Sequence, residues 1–193
     1  MNRRGAMTIL GRVILYAVLI LAFACTSGGL YKDPKMDFGS IYTVAVMPLT
    51  NLSKEQMASD RVRDVLATML LASGDVYVVP PGEVARGVSL AGVLNSAAPS
   101  TDEIKKLGTV LKADAIITGV VREYGEVRSG SATANVLSLS FQMAEVQTGR
   151  VVWSVSSTEG GIDFLDRLFG GGGEPMNVIT EKTVKDVVSK LFK

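Results

Sequence analysis

Histidine is absent from this 193-residue chain, and cysteine occurs once. Without histidine there is no imidazole to serve as a general base near neutral pH, and the commonest metal ligand is missing too. A Ser–His–Asp triad, a Cys–His pair and a Cys/His zinc site are therefore excluded. One cysteine also excludes an internal disulfide. Nor is there an excess of charge: 20 Lys and Arg face 19 Asp and Glu. Arg3, Arg4 and Arg12 lie in the first 24 residues, which hold no acid, so the rest of the chain has 17 bases against 19 acids and a net charge of −2. No block of Lys or Arg stands out there. A nucleic-acid partner needs a basic footprint, and none is expected here.

What the chain does have begins at its front end. "MNRRGAMTILGR" is positive, and "VILYAVLILAFA", residues 13–24, is an uninterrupted apolar run of twelve. Spanning a bilayer takes about 20 such residues. A buried core helix is one reading of the run. A positive flank, a short apolar middle and a small-residue ending fit an export signal better. Two cleavage sites then compete. Ala22-Phe23-Ala24 is an A-x-A site that frees a chain starting at Cys25. The same stretch resembles the bacterial lipobox, a small residue followed by an obligatory cysteine, although Ala22 stands where Leu is usual and Phe23 where a small residue is usual. Placement of the lone cysteine directly at the cleavage point favours lipidation of Cys25. Residues 1–24 are then a lipoprotein signal peptide. Residues 25–39, "CTSGGLYKDPKMDFG", are polar and Gly-rich and read as a tether. Such a tether reaches roughly 50 Å fully extended.

Beyond the tether, residues 40–193 read as one α/β domain. "IYTVAVMPL" is β-branched and apolar, a buried strand stopped at Pro48. Val62, Val65, Leu66, Met69 and Leu70 then recur at helical spacing, with Arg61, Arg63 and Asp64 expected to face away. "VYVVPP" is a second strand closed by prolines. Residues 82–99 are ambiguous, reading as a short helix around Glu83–Gly87 and then a loop rich in Ala, Ser and Gly. Ser100 and Glu103 form an S-x-x-E capping box that opens a helix striped by Ile104, Leu107 and Leu111. "DAIITGVVREY" is a third strand, with Glu123 and Glu126 at its end. In "ATANVLSLSFQMAEV", Leu137, Leu139, Phe141 and Met143 alternate with Ser138, Ser140 and Gln142, which predicts an antiparallel strand with one wet or lightly covered face. "QTGR" is a turn around Gly149, and "VVWSVSS" returns with Val151, Trp153 and Val155 on one side. Val184, Val187, Val188 and Leu191 stripe a C-terminal helix over 176–192. Helices between the early strands require parallel pairing, and the tight turn requires a hairpin. The expected fold is α/β, a single mixed sheet of about five strands flanked by helices.

Four landmarks run through this body in order: "VAVMPLTNLS", "VYVVP", "LGTVLKADAIITGVV" and "AEVQTGRVVWS". Together they resemble the CsgG-like family of bacterial envelope proteins, with PelC, LpoB and the amino-terminal domain of TolB. The resemblance covers roughly residues 40–158 and the last helix, and "KADAIITG" and "TGRVVW" carry most of it. It implies a compact domain related to anticodon-binding folds. It also implies a non-enzymatic envelope lipoprotein, an accessory for assembly or secretion displayed in the periplasm from the outer membrane. A homo-oligomer and an envelope protein partner are implied with it. The alternative within the same resemblance is an LpoB-like regulatory module that activates a peptidoglycan synthase. No insertion long enough for the pore-forming hairpins of CsgG itself is present.

Few candidate sites remain. "FGGGGEP" has glycines but no G-K-[ST] ending, so it reads as a joint rather than a phosphate loop. The loop 159–175 also contains "GGIDFLDRLF", in which Phe164, Leu165, Leu168 and Phe169 share one helical face. That face either docks on the domain's own core or contacts another subunit, a partner or the lipid surface. No cofactor or metal is expected. Cys25 has no imidazole to activate it, which leaves acylation as its chemistry.

Overall fold

The computed structural model describes residues 29–129, 132–161 and 173–192. Three long strands form the middle of the sheet, a near-continuous apolar run opening the first and clean apolar–polar alternation building the second. They are β5 (Ala115–Ser129), β6 (Ala132–Glu145) and β7 (Val151–Gly160), each antiparallel to the next. The earlier part of the chain supplies β1 (Leu30–Lys32), a 3-10 turn (Phe38–Ser40), β2 (Thr43–Val46), β3 (Thr50–Asn51) and β4 (Tyr77–Val78). Its helices are α1 (Ala58–Ser73), α2 (Pro81–Ala91) and α3 (Thr101–Leu111), and the chain closes with α4 (Met176–Phe192). One seven-stranded sheet results, in the order β1-β7-β6-β5-β2-β4, with β3 beside β5. β2 is parallel to both β4 and β5, as the helical crossovers require.

Two apolar layers hold the sheet. On one face Val44, Val46, Ile117, Val121, Leu139, Phe141, Met143 and Trp153 pack against α1 and α4, which contribute Val62, Leu66, Leu70, Val184, Val187 and Leu191. On the other, Ala45, Met47, Val79, Ile116 and Ala144 meet Val84 and Ala91 of α2 and Ile104 and Leu107 of α3. Each large aliphatic side chain so buried contributes about 1.5–3 kcal/mol. The second layer is smaller because α2 and α3 cover only the β2 and β5 end. Beyond them the sheet is open.

Local signals explain several boundaries. The capping box forms as expected: the Ser100 side chain accepts from the Glu103 N–H, and the Glu103 carboxylate accepts from the Ser100 N–H at 2.7 Å. These bonds hold Glu103 below its ordinary value of 4.5, with the backbone bond the largest cause. Ionised Glu103 is thus favoured in the fold. Its stabilising contribution is full above pH 4.5 and is lost as pH falls through the lower folded value. Glu103→Gln is expected to flatten that acid limb in thermal melts taken between about pH 6 and pH 2.5. Ser100→Ala should cost about 1 kcal/mol at neutral pH.

The single mixed sheet flanked by helices is the expected one; it has seven strands because β1, inside the expected tether 25–39, and β3 are two- or three-residue segments too short to show a period. The structure departs from the sequence-based expectations at four places. Residues 81–91 form a full helix, with Pro81 in its first turn, where the missing N–H is harmless. Arg63 does not face away: Nε and Nη2 both donate to the Val46 carbonyl, at 3.1 and 2.9 Å. Burial lowers its pKa, partly offset by Asp60. Glu123 and Glu126 lie within β5 rather than at its end, because β6 pairs with it as far as Ser129. Val151 lies on the face opposite Trp153, because a bulge at Met143/Ala144 shifts the register.

Candidate functional site

The described residues contain no group of three or more His, Cys, Asp or Glu that could hold a metal. The carboxylates with structural partners are committed elsewhere. Asp114 Oδ2 accepts from the N–H groups of Tyr42 and Thr43, at 2.9 and 2.8 Å, and fixes the start of β2. Glu103 is held by its cap. What the arrangement offers instead is surface.

The open face of the sheet is the first such surface. Thr118 lies opposite Gln142, Val120 opposite Ser140, Gln142 opposite Ser154, Ser140 opposite Ser156, and Ser138 opposite Thr158. Their side chains alternate with the buried Leu137, Leu139, Phe141 and Met143. The wet face expected from the serine periodicity is therefore present. Thr158 Oγ1 is 3.0 Å from Ser138 Oγ. A bulge between Val121 and Glu123 inserts Arg122, whose Nη2 donates to Ser140 Oγ at 3.0 Å. Between this face and the 97–99 loop lies a cleft of about 430 Å³, lined by Thr50, Pro99, Thr118, Arg122, Gln142 and Val151. Its polar lining is neutral hydroxyl and amide apart from the Arg122 guanidinium, which suits hydrogen bonding to a polar partner.

The two ends of the sheet differ from this face. At one end β1 exposes Leu30 (51%) and Tyr31 (46%). Near the other, Tyr77 of β4 and Leu90 of α2 are exposed, and Leu94 just beyond α2 is fully so. Sequence periodicity misses both apolar ends. Leu90 and Leu94 are hidden in the ambiguous 82–99 stretch, and β1 in the expected tether.

Cys25, Phe164, Leu165, Leu168 and Phe169 lie outside the described residues. The flanks of the segment holding the last four are fixed. Gly161 N–H donates to Asn135 O at 2.8 Å, and Asn135 Nδ2 donates to Glu174 O at 3.0 Å. The segment therefore leaves and rejoins the domain at the same point of β6. No described helix is long and apolar enough to cross a membrane.

Comparison with known proteins bears on the fold and the family. The family model described as peptidoglycan-synthase activator LpoB matches residues 26–158. Among solved structures, the PelC dodecamer from Paraburkholderia phytofirmans superposes with a TM-score of 0.57 at 17% identity, covering 86% of this chain and 98% of that one. Lipoprotein GNA1162 from Neisseria meningitidis gives 0.53 at 21% identity, covering 78% and 97%. The LpoB C-terminal domain from Salmonella enterica gives 0.50 at 14% identity, covering 66% and 87%. At these identities the likeness is one of fold. No curated protein matches by sequence.

Proposed function

Because this chain belongs to the family of the peptidoglycan-synthase activator LpoB, whose model matches residues 26–158, we propose that it is a lipid-anchored docking module of the bacterial envelope. It acts by binding rather than by catalysis. Cys25 carries the acyl anchor, the domain faces the periplasm from the outer membrane, and the partner is a peptidoglycan synthase. The observation that carries this reading is the family match, which runs from β1 through most of β7.

The segment 162–169 contributes to the contact through Phe164, Leu165, Leu168 and Phe169. Biolayer interferometry of the mature chain against the periplasmic part of the synthase from the same bacterium tests both points. Micromolar or tighter binding is expected. Phe164→Ser with Phe169→Ser should weaken it at least tenfold while leaving the melting temperature nearly unchanged. Absence of binding contradicts the proposal. A fall in stability of several kcal/mol with binding intact would instead assign the two phenylalanines to the domain's own core.

One observation favours a second reading, an assembly or secretion accessory that works as a ring beside the membrane. Only four residues lead from Cys25 to Gly29, where the described domain begins. A module held that close is poorly placed to reach an inner-membrane partner and well placed to assemble with copies of itself, as the PelC dodecamer does. Native mass spectrometry of the mature chain separates the two readings: monomers support the first, a closed ring the second.

A further inference from the structure

The short link has a geometric consequence. Cys25 and Gly29 are four residues apart, and an extended chain advances at most about 3.6 Å per residue. The start of the domain therefore cannot lie more than about 14 Å from the anchored residue. The strand that starts there is not loose. β1 pairs with β7 in the register Leu30 to Val155, Tyr31 to Ser154 and Lys32 to Trp153. Ser156 N donates to Gly29 O at 2.9 Å, and Asp33 N donates to Val152 O at 2.8 Å, closing both ends of the pairing. Lys32 Nζ donates to Leu191 O of α4 at 3.0 Å and sits 4.6 Å from the Phe38 ring centre. A lipid attachment at Cys25 would thus lie within about 14 Å of a fixed edge of the sheet.

That edge is short, and Lys32 with the following Asp33 and Pro34 guards it against pairing with another strand. It also exposes a leucine and a tyrosine, on alternate sides of the strand. Tyrosine belongs to the residue types that settle at the level of lipid headgroups, with the ring in the apolar zone and the hydroxyl in water. Resting on the lipidation of Cys25, we propose that the β1 edge lies on the lipid surface, with Leu30 and Tyr31 entering the headgroup region. Depth is limited to that region. Among the described residues, the outer N–H and C=O groups of β1 have no strand partner, and hydrocarbon offers none. The domain then has one orientation. Five strand spacings of about 4.8 Å separate β1 from β4, so Tyr77 stands roughly 24 Å further from the bilayer. α2 and the exposed Leu90 follow β4 at that far side.

A nitroxide depth measurement tests this. The chain has a single cysteine, and acylation consumes its thiol, so an introduced cysteine is the only free one. The full lipidated chain with Tyr31→Cys, and separately with Leu90→Cys, is spin-labelled. Each is bound to vesicles of phosphatidylethanolamine and phosphatidylglycerol in a 3:1 ratio, made for the experiment. Flotation and the intact mass of the amino-terminal peptide establish anchoring first. In a floating, acylated chain, the ratio of oxygen to nickel-chelate accessibility should be several-fold higher at position 31 than at position 90. A label at 31 as open to the nickel chelate as that at 90 overturns the orientation while leaving the anchor intact. Dipolar broadening between labels at 31 would give the edge to a second copy and also overturn it. A chain that carries no acyl group and stays in solution fails earlier, at the anchor itself, and takes the orientation with it.

Discussion

Cys25→Ser is expected to move nearly all of the chain from the membrane fraction to the soluble fraction of the cell envelope. The motivating observation is the position of the only cysteine, directly after the apolar run 13–24. A diacylglyceryl group adds many CH₂ units, each contributing about 0.8 kcal/mol on burial in the bilayer. One acyl chain alone gives marginal binding, and two or three give stable anchoring. Removal of the sulfur removes all of them together. The remaining contact, through Leu30 and Tyr31, is far too small to hold a protein. Because Cys25 precedes the described domain, the variant should melt at the same temperature as the acylated chain stripped of lipid by detergent. Membrane retention of Cys25→Ser would eliminate the lipid anchor.

Phe141→Ala is expected to be among the most damaging single truncations in the domain. Phe141 is fully buried on β6, near the middle of the sheet order, and belongs to the layer shared with α1 and α4. Loss of a buried phenylalanine costs about 3–5 kcal/mol, against a total stability of about 5–15 kcal/mol. For a domain of this size that corresponds to a fall in melting temperature of roughly 10 °C. The neighbouring strand is fitted to this ring. Gly119 lies opposite Phe141, and a Cβ there would overlap the ring and stand 2.8 Å from the Ser140 carbonyl oxygen. Gly119→Ala should therefore cost about 1–3 kcal/mol in the natural background and less once Phe141 is alanine. Rescue stays partial, because the Ser140 contact is backbone. Strict additivity of the two changes, measured by urea denaturation, would show that ring and glycine do not constrain each other.

The parts of the fold that sequence shows well are those where one strong period decides. β6 is legible because Leu137, Leu139, Phe141 and Met143 alternate with polar neighbours, and α4 because its valines recur at helical spacing. The capping box and the turn at Gly149, whose φ is 70°, are legible because each needs particular residue types. The bulges are not legible. Arg122 and Val152 each add one residue to a strand, which reverses the facing of the rest of that strand, and neither residue type marks the site. The role of Arg63 depends on the Val46 carbonyl, 17 positions away; Tyr77 and Val79 donate to the carbonyls of Tyr42 and Val44, and the next position, Pro81, has no N–H to offer Val46. β1 is hidden for a related reason. Three residues carry no period, and "LYK" becomes a strand only because β7 offers a free edge. That omission matters for function, since β1 brings the start of the sheet close behind Cys25, where a long tether is expected from sequence.

The surface offered to a partner is only half visible in the sequence. The serine periodicity of β6 announces the open face, and the amphipathic run at 164–169 announces an apolar contact. The guanidinium on the open face and the exposed leucines at and beyond the end of α2 depend on a bulge and on a helix that the local sequence does not declare.

Glycan polymerisation is the most direct test of the central claim, that this chain is an anchored module acting on a peptidoglycan synthase. The rate is measured with lipid-linked precursor and the full-length synthase of the same bacterium, with and without the acylated chain in the same vesicles. The account predicts a several-fold rise in rate with the chain present, and no turnover by the chain alone. An unchanged rate at saturating chain, with the synthase active, would contradict it.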